Sequence, residues 1–189
     1  MMQHAPLFIV LLPVSAALLC MLFSRMQKNL GSWIVIGSIA AAFMSAVTVL
    51  QQVIADGGKP IHYWMGNWQP PLGIEFVIDP ISGVLAVLIT FISLLGSLYS
   101  LPFVKEEGWL HIGGYYTLYG LMTVGMCGMV ITGDVFNLYV FLEVMSLSGY
   151  GLIALGGKKS MLAAFRYLLI GTIGASLYLL GVGYMYALT

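Results

Sequence analysis

Charge is what this sequence has least of. Only 7% of its 189 residues are charged, 60% are hydrophobic and the mean hydropathy is +0.99. A soluble domain needs far more charge to cover its surface, so the composition specifies an integral membrane protein. Formal net charge is zero and the Lys and Arg residues are scattered, which excludes a nucleic-acid-binding surface. Cysteine is nearly absent too: Cys20 and Cys127 both lie in apolar runs with no Cys or His at metal-ligand spacing, and read as small core residues. No Ser-His-Asp set, glycine-rich phosphate loop, metal cluster or haem ligand pair is visible, and His4, His62 and His111 all fall outside the apolar spans. The sequence therefore assigns no catalytic residue, no cofactor and no metal, and the chain by itself is not an enzyme. Ten-residue alternation, the mark of a membrane β-barrel, is missing. The N-terminal run lacks a positive region before it, since Arg25 and Lys28 come after, a pattern that favours a retained first span over a cleaved signal.

What is present is a series of long apolar windows. About 20 apolar residues cross ~30 Å of hydrocarbon, and six such stretches are predicted as helices near 6–24, 31–54, 80–103, 112–132, 135–155 and 160–187. The fold class is thus an all-α integral membrane protein, with residues 1–189 forming one transmembrane domain. One substantial loop separates the second and third spans. Pro70-Pro71-Leu72-Gly73 makes a good turn between the extended stretches IHYW and IEFVI, so a hairpin is predicted there. His62, Tyr63, Trp64 and Trp68 suit the membrane-water interface. Arg25, Lys28, Lys105, Lys158 and Lys159 fall in one set of loops and Lys59 alone in the other. The positive-inside rule then puts both termini and the hairpin outside the cytoplasm of a cell (inner) membrane.

Helix boundaries explain most of the acids. Asp79 precedes Pro80 and Asp134 follows Gly133, both as N-caps, while Glu106 and Glu107 sit beside Lys105 in a loop. Two ionisable groups remain inside spans, Glu143 and Arg166. Glu143 lies roughly 12 Å into its helix. Intramembrane acids cost about 2.5–3.5 kcal/mol on insertion scales, usually face the bundle interior and mark ion paths. Arg166 has two readings: a long side chain that snorkels to the near surface, or a standing counter-charge to Glu143. A hairpin folded at Gly157 puts Gly149 level with Arg166 and offsets the pair by about six residues, ~9 Å. Tyr139, Ser146, Leu147 and Tyr150 share the face of Glu143, and Ser146 and Tyr150 either hydrogen-bond the carboxyl, hold waters beside it, or simply pack. Gly171 with Ala175, and Gly120, Gly125 and Gly128, read as close helix contacts.

The stretches TGDVFNLYVFLEVMSLSGYGLIALG and AAFRYLLIGTIGASLYLLGVGYMYALT, with the loop WMGNWQPPLGIEFVIDPISG, resemble the D-type subunit of multisubunit Mrp cation/proton antiporters. That protein is related to proton-pumping membrane subunits of respiratory complex I and membrane-bound hydrogenases. The resemblance implies that Glu143 is the fifth-helix glutamate of the family and that Arg166 stands where many members carry a sixth-helix lysine. Arginine does not release its proton, so the family's acid-base pairing becomes a fixed-charge tuning role for Arg166. Family members have about fourteen helices in two inverted repeats, and the resemblance covers the N-terminal part, without the lysine of the broken seventh helix. A split gene product or a truncated chain is expected. The implied function is part of a proton path coupled to Na⁺ or another monovalent cation, within a complex of other membrane subunits and lipid. The rival readings are a subunit of a redox-driven pump and a non-transporting scaffold.

Overall fold

The computed structural model describes residues 4–26, 30–68, 73–104 and 109–188. Six long helices form: α1 (Ala5–Met26), α2 (Leu30–Ala55), α3 (Pro80–Val104), α4 (Trp109–Ile131), α5 (Val135–Ala154) and α6 (Lys158–Leu188). All six are long and apolar enough to cross a membrane. They match the six predicted spans, except that α4 starts at Trp109 and α6 runs the full 31 residues from Lys158. Lys28, Lys105, Glu106, Glu107 and the Pro70-Pro71-Leu72 turn lie outside the described residues.

Between α2 and α3 the chain forms strands β1 (Ile61–Trp64) and β2 (Glu75–Ile78), paired antiparallel with Ile61 opposite Ile78 and Trp64 opposite Glu75. The far edge of β2 bonds the α4–α5 turn: Phe76 bridges Thr132, and the Gly133 amide donates to the Glu75 carbonyl at 2.9 Å. The hairpin thus caps one end of the bundle. Beneath it, Ile9, Val49, Val53, Phe76 and Ile131 form one buried cluster, and a second, around Cys20, Val35, Ile39 and Tyr116, lies toward the opposite end. Both cysteines are buried within these clusters.

α4 is the central helix, packed against α1, α3 and α5, with 44% of its span buried, against 11% for α6. The glycines of α4 allow this: Gly125 abuts the backbone of Met145, and Gly128 the ring of Phe141. α6 rests chiefly on α5 through Ala164, Gly171, Ala175 and Val182, spaced four or seven residues apart on one face. Gly157, at φ +101°, takes the left-handed conformation that turns the chain between them.

The caps are visible in detail. The Ser82 amide donates to the Asp79 carboxylate at 2.7 Å, while the Asp79 amide donates to Ser82 Oγ at 2.8 Å, a reciprocal box at the start of α3. The Ser82 hydrogen bonds hold the Asp79 carboxyl below its ordinary range. Its small contribution to stability is complete above the ordinary carboxylate range and is lost as pH falls through its lowered pKa.

The α5–α6 contact distinguishes two neighbouring glycines. A Cβ at Gly171 would collide with the Tyr150 hydroxyl, whereas one at Gly174 meets nothing within 4 Å. Gly171→Ala is expected to lower the melting temperature of the detergent-solubilised protein, by about 1–3 kcal/mol of overpacking. Gly174→Ala is expected to leave it unchanged or raise it, through the ~1 kcal/mol advantage of Ala over Gly in a helix.

Candidate functional site

The site grows from α5. Asp134 opens this helix by accepting the amides of Phe136 at 3.2 Å and Asn137 at 3.0 Å, and the far end of α6 adds the Tyr186 hydroxyl at 3.0 Å. Buried Asn137 donates to Thr132 Oγ1 at 2.9 Å. The GDVFN stretch thus joins three elements at once: the hairpin through Gly133, the start of α5, and the end of α6.

From this anchored end α5 presents two working faces. Phe141 and Met145 turn to α4. Tyr139 and Tyr150 turn to α6: Tyr139 stacks on Tyr178 at 6.2 Å, and Tyr150 meets Tyr167 edge-on at 4.8 Å. Tyr178 also donates to the Val135 carbonyl at 3.2 Å. Glu143 lies four residues after Tyr139 and seven before Tyr150, on this second face, half-buried and roughly 12 Å from the start of the helix. Tyr139 stands one helical turn before it on the same face. Glu143 is the one acid inside a span among the described residues.

The two tyrosine contacts fix the α5–α6 register. Gly174 is level with Glu143, and Gly151 is level with Arg166. The axial offset between the two charges is therefore eight residues, roughly 12 Å, larger than the six expected from a hairpin folded at Gly157. Arg166 is also exposed and, at 100° per residue, projects nearly opposite to the Ala164, Gly171 and Ala175 stripe that meets α5. The structure thus does not bring Glu143 and Arg166 together. Among the described residues the one close contact between an acidic and a basic side chain is elsewhere, the hydrogen bond of His62 Nδ1 with Glu75 at 2.7 Å.

The other sequence-predicted groups divide. Ser146 is half-buried one turn beyond Glu143, on its face. Tyr150 is buried, but its hydroxyl points at Gly171 of α6 and not at the carboxyl, two turns away. Among the interfacial aromatics, Trp64 donates to Glu75 at 3.0 Å and Tyr63 contacts His4 Nδ1 at 3.0 Å, so they also knit the hairpin to α1.

A row of buried hydroxyls was not anticipated from the sequence. Thr90, Ser93, Ser97 and Ser100 of α3 are buried at helical spacing, facing two tyrosines of α4. The Tyr116 hydroxyl bonds Ser100 Oγ at 3.0 Å and the Ser97 carbonyl at 3.2 Å, and Tyr119 donates to the Ser93 carbonyl at 3.0 Å. The heptad-like spacing of the α3 hydroxyls was the available signal. α4 stands between this seam and Glu143, because Tyr116 and Tyr119 lie across the helix from Gly125 and Gly128.

Six apolar spans and one acid set inside the bundle define a multi-pass, all-α membrane protein. No family model matches the chain. It is 42% identical over its whole length to the N-type subunit of the NADH-quinone oxidoreductase of Desulforudis audaxviator, covering 38% of that protein. It is 32% identical, over 95% of its length, to the D-type subunit of the Na(+)/H(+) antiporter of Bacillus subtilis, covering 36% of it. Among solved structures it superposes on a chain of the membrane-bound sulfane sulfur reductase, an archaeal respiratory membrane complex, with a TM-score of 0.89 and 31% identity, over 98% of this chain and 37% of that one. A chain of the Mrp complex from Dietzia shares the fold at a TM-score of 0.82 and 24% identity, over 100% of this chain and 35% of that one. The chain is thus similar to antiporter-like membrane subunits, the D-type antiporter subunit and the N-type NADH-quinone oxidoreductase subunit among them, and aligns with the N-terminal portion of such proteins. It spans a little over a third of the length of these relatives.

The anchoring of α5 is testable. Asp134→Ala is expected to cost about 0.5–2 kcal/mol through the lost cap, read as a lower melting temperature, while Asp134→Asn retains most of the stability.

Proposed function

We propose that this chain forms part of a proton path in a multisubunit monovalent cation/proton antiporter, with Glu143 as the group that takes up and releases the proton. The carrying observation is the position of Glu143: the one acid at mid-span among the described residues, half-buried, on the α6-facing side of α5 and one turn from Tyr139. Acids placed inside a membrane span are costly and usually mark ion paths. The Bacillus subtilis antiporter relative supports the antiporter assignment. Orientation follows the positive-inside rule, with both termini and the hairpin on the extracytoplasmic side of the cell membrane. Other membrane subunits complete the path, and no cofactor is assigned to this chain.

Arg166 acts in this reading through its field alone. At 12–15 Å and an effective dielectric constant near 20, two unit charges interact by about 1 kcal/mol, less than one pKa unit.

A second reading keeps the site and changes the driver: a membrane subunit of a redox-driven pump, whose electron-transfer chemistry lies in other chains. The 42% identity to an NADH-quinone oxidoreductase subunit and the 0.89 TM-score to a respiratory complex favour it. Copurifying iron-sulfur subunits decide for this reading, and small membrane subunits alone decide for the antiporter.

Both readings share a test. In membrane vesicles holding the assembled complex, Glu143→Gln is expected to reduce coupled proton flux at least tenfold, and Glu143→Asp to retain part of it. Unchanged flux in an intact complex would leave only a scaffold role. Arg166→Gln is expected to move the pH profile of flux by less than about one unit, whereas a direct ion pair would shift it by about 1–3 units.

A further inference from the structure

The hairpin is closed along one edge and open along the other. β2 is paired on both sides, with β1 and with the Thr132–Gly133 turn, but β1 has no second neighbour among the described residues. The Met65 amide donates to the Ile74 carbonyl at 3.0 Å, which fixes the phase of the ladder. Residues 61 and 63 therefore point their backbone groups at β2, and the N–H and C=O groups of His62 and Trp64 point at the open edge.

A cavity of about 710 Å³ lies along that edge. Ile61, His62, Tyr63 and Trp64 all line it, followed by Gly66 and Asn67. A cavity over a sheet face touches alternate residues only, whereas this one touches consecutive residues, as a cavity at a strand edge does. Its other wall is His4, just before α1, Pro6 of α1, Gln52 in the last turn of α2 and Asp56 just after it. The Asp56 carboxylate has no hydrogen-bond or ion-pair partner among the described residues. This end of the bundle carries Asp56, Glu75, Asp79 and Asp134 against Lys59, with His62 on Glu75 and His4 on Tyr63, which leaves Asp56 as the acid on the cavity wall without a partner among the described residues, so its charge favours a basic occupant.

We infer that the open edge of β1 is a docking site for an extended, basic segment of a neighbouring subunit, which adds to the hairpin as a further strand and reaches Asp56 with a Lys or Arg. Strand addition to an exposed edge draws affinity from main-chain hydrogen bonds and specificity from side-chain pockets, and an uncovered edge is otherwise a liability. The inference rests on the reading of the chain as one component of a larger membrane complex.

The test uses the intact complex with Trp64→p-benzoylphenylalanine, irradiated in native membranes and mapped by mass spectrometry. The expected product is a cross-link to an extended basic stretch of another protein of the same complex. His62→Pro removes an N–H aimed at the open edge while leaving the β1–β2 ladder intact, and is expected to cut the cross-link yield at least tenfold. His62→Gln, which keeps that N–H, is expected to retain it. Asp56→Lys, which leaves the strand untouched, is expected to cut the yield in the same way. Cross-links confined to this chain's own residues or to lipid, or a yield unaffected by His62→Pro and Asp56→Lys, would overturn the inference. Coupled flux in the same membranes, with and without Glu143→Gln, reports separately on the transport reading.

Discussion

Hydrocarbon offers no hydrogen-bond partners, and this one constraint organises the polar chemistry of the bundle. Its hydroxyls return to helix carbonyls: Thr90 to Ala86, Ser97 to Leu94, Thr123 to Tyr119 and Ser148 to Val144. A hydroxyl manages this because it donates. An ionised carboxylate only accepts, and the middle of a helix has no free N–H to give it. A carboxyl in mid-helix therefore draws its partners from outside its own backbone, and the α5–α6 seam is what flanks Glu143. Tyr139 supplies a neighbouring hydroxyl, and the glycine stretch of α6 leaves space at the same level.

The helices and their ends were readable because they depend on local pattern: apolar length, a proline at the first position of α3, an acid before each of α3 and α5. The hairpin was readable for the same reason, from turn residues between two extended stretches, and IHYW pairs with EFVI. Lateral placement was harder. Gly171 and Ala175 were seen as a contact pair, yet their phase also fixes where Arg166 points, five residues before Gly171 and on the opposite side of α6. Counting along the hairpin placed Arg166 two residues too close to Glu143 along the axis and gave no direction for its side chain. Of the readings left open for Tyr150, the structure places it in packing, with its hydroxyl against Gly171. The α3 hydroxyl row was visible as spacing, but its partners, Tyr116 and Tyr119, arrive from another helix.

The GDVFN stretch links these layers. Gly133 belongs to the hairpin ladder, Asp134 to the α5 cap and to Tyr186 of α6, and Asn137 to Thr132. Phe141, two residues before Glu143, packs both on Phe76 of β2 at 6.3 Å and against Gly128 of α4. The acid is thus held on a helix whose position is set from both sides, by the hairpin above and by the glycines of α4 beside it. α6, the least enclosed element, closes the remaining side of the acid through Tyr178 and the Gly171–Ala175 stripe.

The central claim is that Glu143 changes protonation in the middle of the membrane. Infrared difference spectroscopy of the assembled complex across the pH range of transport tests it directly. The expected result is a protonated-carboxyl band that titrates within that range and disappears in Glu143→Gln. A spectrum with no titrating band attributable to Glu143 would contradict it.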